Sequence, residues 1–371
     1  MTEPQPLQFD GLNTVRLGRR RLGYFSGCDY FRLARDPQVA RAAIRALDQH
    51  GLNVAASRRT TGNHAIYGRL EAELAKFFGV EAALLLPDGY YAPLAAAQAL
   101  APETDHVFID QLAHGALRDA ARMFRVTPKE FRHRDPADLA RHLARCQPGS
   151  HPVVLTDGMF AHDGTVAPLR QYLQVLPSRG RLLVDDAHGV GVLGATGKGS
   201  LEHAGVSRQR IVQCGTLSKA FGVYGGFVVG SAALRRKIMD GSRLFAGTTP
   251  LPPPLAGAAV AALRILRRDP ARRDRLWKNV HYLRQALRAL GWPVEETPGP
   301  IVRLPALGKM AASRLKTQFL AAGIYPPFLK YGANSLGFFR IVISSGHTRR
   351  ELDQVTSVLA KPGETSTGHP P

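Results

Sequence analysis

The 371-residue chain has no uninterrupted apolar run of bilayer length, about 20 residues, so no membrane span is expected. Its start, MTEPQPLQFDGLN, lacks a basic segment followed by an apolar core and does not read as a secretory leader. Cysteine is scarce. Cys28, Cys146 and Cys214 are scattered without metal-ligand spacing, and an odd count argues against a disulfide framework. These absences point to a reducing, cytoplasmic setting with no metal site. No internal repeat is visible. Acidic residues are the minority, 29 Asp and Glu against 49 Lys and Arg, for a formal charge of +20. That excess raises nucleic acid as a partner, but the basic residues are mostly spread along the chain. They are denser only at Arg19-Arg20-Arg21 and from Arg264 to Arg275, without interleaved aromatics, so no nucleic-acid partner is expected. The charge reads as an Arg-rich surface, or as a field steering an anionic substrate such as a coenzyme A thioester or an acidic carrier protein.

What remains is the composition of an ordinary globular protein, 44% hydrophobic and 21% charged, in a chain long enough for two or three cores. Its centre of gravity is the stretch from 181 to 226. Arg181-Leu182-Leu183-Val184 is a short apolar run typical of a buried parallel strand, and it leads directly into Asp185-Asp186-Ala187-His188-Gly189. A second run, Ile211-Val212-Gln213-Cys214, ends in Gly215-Thr216-Leu217-Ser218-Lys219, ahead of Gly222, Gly225 and Gly226. In open α/β sheets, ligands bind at the carboxyl ends of strands.

A carboxylate and a lysine on adjoining strand ends suit pyridoxal 5'-phosphate. The cofactor's aldehyde reacts with a lysine amine, and its ring nitrogen needs an acidic partner to stay protonated. Lys219 fits the first role and Asp185 the second, with His188 near the ring or its phenolic oxygen and Thr216 and Ser218 as donors to the phosphate. Taken singly, a strand-end Asp is usually a turn residue and a Lys a solvated charge. The repetition of the pattern on both strands favours the cofactor.

Around this centre, strands and helices alternate. Ala83 to Leu86 reads as a strand, and Asp88-Gly89-Tyr90-Tyr91 turns from it into a helix at 93–100, offering backbone N–H groups to an anion. Val107 to Asp110 is the next strand, followed by His114, whose ring is suited to stack on a flat cofactor. Val153 to Gly158 is another strand ending in polar residues, and Gly226 to Gly230 is an antiparallel addition. The alternation predicts an α/β fold: a large domain with a mostly parallel seven-stranded sheet sandwiched by helices, plus a smaller α+β C-terminal domain. The expected division is an N-terminal arm at 1–35, the large cofactor-binding domain at 36–250, the small domain at 251–360 and a disordered tail at 361–371. Asp36-Pro37 opens a helix with Val39, Ala42, Ile44 and Leu47 on one apolar face. Arg340, inside the β run Phe338 to Ser345, reads either as an edge-strand surface charge or as a bidentate clamp for a substrate carboxylate.

With these residues assembled, the chain resembles the α-oxoamine synthases, pyridoxal-phosphate enzymes of the aspartate-aminotransferase fold (fold type I). The resemblance runs from about residue 22 to residue 357 and rests on VDDAHGVGVLGATGKGS, TLSKAFGVYGG, FAGTTPLPP and FRIVISSGHT taken together. It implies that Lys219 carries the cofactor, Asp185 partners the ring nitrogen, His188 binds the phenolic oxygen and His114 stacks on the ring. Gly89 and Tyr90 match backbone donors to the phosphate, with Thr216 as a side-chain donor. Thr248 or Thr249 matches a phosphate contact from a neighbouring subunit, which implies a homodimer with its active site at the subunit interface. Arg340 matches the residue that holds the amino-acid carboxylate.

The implied reaction condenses an amino acid with an acyl thioester, on coenzyme A or a carrier protein, and loses the carboxylate to give an α-aminoketone. The chain departs from the family pattern at Cys28, where an asparagine in contact with the substrate carboxylate is usual. It also departs at Ala161 (usually serine), at Tyr67 (commonly histidine) and in a shorter N-terminal arm. An aminotransferase using the same Lys219 and Asp185 is the alternative enzyme. A basic scaffold that has kept the fold without its chemistry is the non-enzymatic one.

Overall fold

The computed structural model describes residues 5–330 and 336–360, so the expected tail at 361–371 lies outside the described residues. The chain divides into two compact units: residues 33–161 with 165–270, and the N-terminal residues to 32 with 162–164 and the chain from 271 onward.

The larger unit is built on a seven-stranded sheet. Across it run Ala82–Leu86, Gly226–Gly230, Ile211–Thr216, Arg181–Asp185, Pro152–Asp157, His106–Asp110 and Lys129–Phe131. Every neighbouring pair is parallel except those made by Gly226–Gly230, which is antiparallel to both its partners. The mostly parallel seven-stranded sheet expected from the strand–helix alternation is therefore present. Its central strands are buried along their length: all six residues of Pro152–Asp157 and of Ile211–Thr216 are enclosed, as expected where helices cover both faces. On one face, helix Tyr91–Leu100 packs through a nearly continuous row of alanines. On the other, Phe108, Val154, Leu182 and Val184 meet Leu169, Tyr172 and Leu201.

Helix Pro37–His50 starts as predicted, with the Asp36 carboxylate accepting from the Gln38 amide and proline in the first turn. Its contact face is only partly the expected one: Val39 and Ala42 are buried as predicted and Ala46 joins them, whereas Ile44 and Leu47 are exposed. The cause is helix Pro253–Arg268, which approaches so closely that a Cβ on Gly257 would lie 2.5 Å from that of Ala46. Small side chains set that contact line, and the larger apolar residues are left outside it.

The same helix moves the boundary. A domain break at 251 was expected, but Pro253–Arg268 buries Ala256, Ala259, Leu263 and Leu266 within the larger unit, which continues to Pro270. The N-terminal residues differ too. Instead of a free-standing arm, Gln8–Phe9, Thr14–Leu17 and Arg20–Gly23 form a three-stranded antiparallel sheet. The segment beyond it is tied to the C-terminal part of the chain: Val342 donates its amide to Phe25 O and Ser345 donates to Tyr30 O. The smaller unit also holds helices Ala271–Ala289, Lys309–Ala321 and Arg349–Ala360, and a second small sheet in which Phe338–Val342 is central between Ile301–Arg303 and Phe328–Leu329.

Candidate active site

Parallel pairing aims three strand ends the same way. Asp157 closes Pro152–Asp157 and stands in register with Asp185, the last residue of Arg181–Asp185, which is in turn paired with Cys214 on Ile211–Thr216. An open cavity of about 150 Å³ lies beyond these ends. Its lining includes Asp185, His188, Lys219, His114, Gly89, Tyr90, Thr216 and Ser218. The structure thus brings together eight of the residues singled out in the sequence. The smaller unit has a larger hollow, about 510 Å³, along Arg349, Asp353 and Ser357, but no comparable set of converging groups.

Electrostatics separate the two register partners. Asp157 is almost fully buried and accepts a 2.9 Å hydrogen bond from the His114 amide. Burial and the neighbouring Asp185 carboxylate hold its carboxyl well above the usual range. Asp185 accepts a 3.1 Å bond from the Ala187 amide. His114 caps helix Gly115–Ala121 by accepting from the Ala116 amide, and its exposed ring meets Tyr90 edge-on at 6.3 Å. Asp157 was not singled out in the sequence, although it ends its strand as Asp185 does.

Much of the lining comes from turns. Thr216 Oγ1 donates to Gly225 O at 3.1 Å, lies 2.8 Å from Ser218 Oγ and accepts from the Ser218 amide. Gly89 passes so close that a Cβ there would fall 2.6 Å from the Thr216 side chain, so only glycine keeps this wall open. The Tyr90 amide, an expected phosphate donor, gives its hydrogen bond to Asp88 Oδ1 at 2.6 Å. Beyond Lys219 the chain turns at Gly222, in the left-handed region at φ 64°, where a Cβ would lie 2.3 Å from the Ala34 backbone nitrogen.

Asp186 faces away from this cavity. It is fully buried, and its Oδ2 accepts from the Ser200 amide at 2.8 Å and from Gln213 Nε2 at 2.5 Å. Gln213 in turn accepts from the Arg208 guanidinium. Burial raises the Asp186 carboxyl to about 7.

Arg340 and Cys28 belong to the smaller unit. Arg340 is on the central strand of its sheet and buried, which corrects the edge-strand alternative. Its Nη2 is 3.8 Å from Cys28 Sγ and 3.4 Å from Ser26 O. Thr248 donates to Leu244 O, Thr249 is exposed, and neither lines the cavity of its own chain.

Comparison with known proteins places the whole arrangement. The family model for aminotransferase class I and II matches residues 28–359. An 8-amino-7-oxononanoate synthase from Methylococcus capsulatus is 39% identical over 350 residues, 92% of this chain and 89% of that protein. One from Thioalkalivibrio sulfidiphilus is 37% identical, covering 92% and 88%. Among solved structures, a serine palmitoyltransferase from S. paucimobilis, with a bound PLP–myriocin aldimine, superposes with a TM-score of 0.90. It is 26% identical, covering 97% of this chain and 92% of that one.

Proposed function

The chain belongs to the aminotransferase class I and II family and, within it, to the α-oxoamine synthases, and we propose that it condenses an amino acid with an acyl thioester at a pyridoxal-phosphate site. The products are an α-aminoketone, carbon dioxide and the free thiol. The observation that carries this reading is the convergence of Lys219, Asp185, His188 and His114 on one cavity.

The residues present suit the cofactor. A lysine amine and a carboxylate follow adjoining strand ends, and hydroxyls, a glycine and the exposed imidazole of His114 line the same cavity. When bound, pyridoxal phosphate supplies an electron-withdrawing ring that takes up the negative charge left on the amino acid. Lys219 would hold the cofactor through its amine and would serve as the base for the amino acid's α-proton. Asp185 would keep a proton on the ring nitrogen, a role that its place at a strand end lining the cavity supports. His188 binds the phenolic oxygen and His114 covers one face of the ring. Gly89, Tyr90, Thr216 and Ser218 hold the phosphate.

Arg340, with Cys28 beside it, takes the amino-acid carboxylate through its guanidinium fork. The catalytic unit is a homodimer in which Thr248 and Thr249 reach the phosphate of the second copy. Exposed Ile44, Leu47 and Leu52 on the larger unit support such a partner surface. Among the described residues no helix is long and apolar enough to cross a membrane.

The test is reduction with borohydride in the presence of pyridoxal phosphate, followed by peptide mapping. Label at Lys219 is expected, and its absence there refutes the assignment. Release of thiol from an acyl thioester that depends on an amino acid supports condensation. Turnover that instead requires a 2-oxo acid means an aminotransferase. Arg340→Ala is expected to raise the KM for the amino acid by about 10–100-fold with kcat little changed, as for a lost charge-assisted hydrogen bond.

A further inference from the structure

Resting on the cofactor reading above, one residue of the phosphate wall stands out because its charge is of the wrong sign. Asp88 lines the same cavity as Gly89, Thr216 and Ser218. Its Oδ1 accepts from the Tyr90 amide at 2.6 Å, which is one of the backbone donors a phosphate would use there. Its side chain also accepts from the Tyr224 hydroxyl, a bond that raises the tyrosine's pKa.

We propose that the Asp88 carboxylate competes with the cofactor phosphate for the Tyr90 amide and thereby sets how tightly this wall holds the cofactor. Two anions cannot share one N–H donor, and at this range their repulsion is substantial even with solvent screening. Phosphate entry therefore requires the carboxylate to give up the Tyr90 amide. Tyr224 provides the alternative: it is half-exposed, already bonded to Asp88, and keeps the displaced carboxylate hydrogen-bonded. The Asp88 main chain stays in place during this exchange, because its carbonyl oxygen sits where a Cβ on Gly226 would be, 2.2 Å away. Only the side chain has to rotate.

The experiment compares dissociation constants of pyridoxal phosphate and of pyridoxal, which lacks the phosphate, by absorbance titration of the full-length apoprotein. Asp88→Asn keeps a side-chain oxygen for the turn and removes the charge, and Asp88→Ser is a second, smaller replacement. Both are expected to bind pyridoxal phosphate about tenfold more tightly than the parent, with pyridoxal affinity unchanged. Inorganic phosphate should also protect the variants against cofactor binding at lower concentration than it protects the parent. Tyr224→Phe should weaken pyridoxal phosphate about threefold in the parent and have no effect beside Asp88→Asn, a non-additivity that a merely structural tyrosine would not produce. Unchanged or weaker pyridoxal phosphate binding in both Asp88 variants overturns the proposal, as does an equal gain for pyridoxal. A parent protein that binds neither compound overturns it together with the cofactor reading, whereas Lys219 labelling with no Asp88 effect overturns the competition only.

Discussion

Asp185 and Asp186 are neighbours in sequence, and they occupy two different regions of the larger unit. Asp185 ends its strand at the cavity, in register with Asp157. Asp186 lies on the other side of the chain, enclosed by Gly158, Gly189 and Gly199, each so near that an added Cβ would strike its carboxylate. The first carboxyl is open to a ligand, and the second is bonded to Ser200 and Gln213 with Arg208 behind. Opposite side-chain directions at successive residues of extended chain account for the split. Identical chemistry thus divides into a group that lines the cavity and a group that holds the turn carrying His188. The glycines of this stretch are the space Asp186 needs.

Substitutions can test that division. The largest effect is expected from Asp185→Asn, which leaves the shape and removes the carboxylate proposed to partner the ring nitrogen. Turnover should fall by about 10²–10⁴-fold, the range for a lost acid–base partner, with the melting temperature little changed. A fall of less than tenfold would mean that another group holds the ring proton.

Asp186→Ala should reverse the pattern, destabilising the protein by about 1–3 kcal/mol because the Ser200 amide and Gln213 Nε2 lose a buried acceptor. Denaturant titration is the measurement. Its pH dependence has a definite sign. The folded carboxyl is raised from an ordinary 3.8 to about 7 by burial, so its contribution is fully present below the ordinary value and is lost as pH rises through 7. The gap between parent and Asp186→Ala should therefore narrow from pH 4 to pH 8, and a gap that widens would contradict a buried, protonated Asp186.

The smallest effect is expected from Asp157→Asn. With Asp185 as the ring-nitrogen partner, an amide at 157 should cost no more than about threefold in kcat/KM, since its oxygen still accepts from the His114 amide. A loss as large as that of Asp185→Asn would assign the ring nitrogen to Asp157 instead.

The strand ends could be read from sequence because an apolar run followed at once by polar residues has few structural solutions. That held for Asp185, Thr216 and Lys219, and Asp157 carried the same signal without being singled out. Asp88 was visible as a turn residue, but its hold on the Tyr90 amide depends on a side-chain rotamer that periodicity does not report. The face of helix Pro37–His50 was misjudged because the contact follows its smallest residues, Ala42 and Ala46 opposite Gly257. Gln8–Phe9 and Thr14–Leu17 escaped notice as strands because they are short and carry little apolar alternation.

Gly222 has a bearing on how variants of this protein would be understood. A methyl group at that turn would drive the backbone off the segment entering helix Pro37–His50, and the amine three residues earlier would be carried with it. An alanine at 222 would therefore behave in the test tube like a vitamin-responsive lesion, rescued by surplus coenzyme. A search for its cause among residues that contact the coenzyme would miss it.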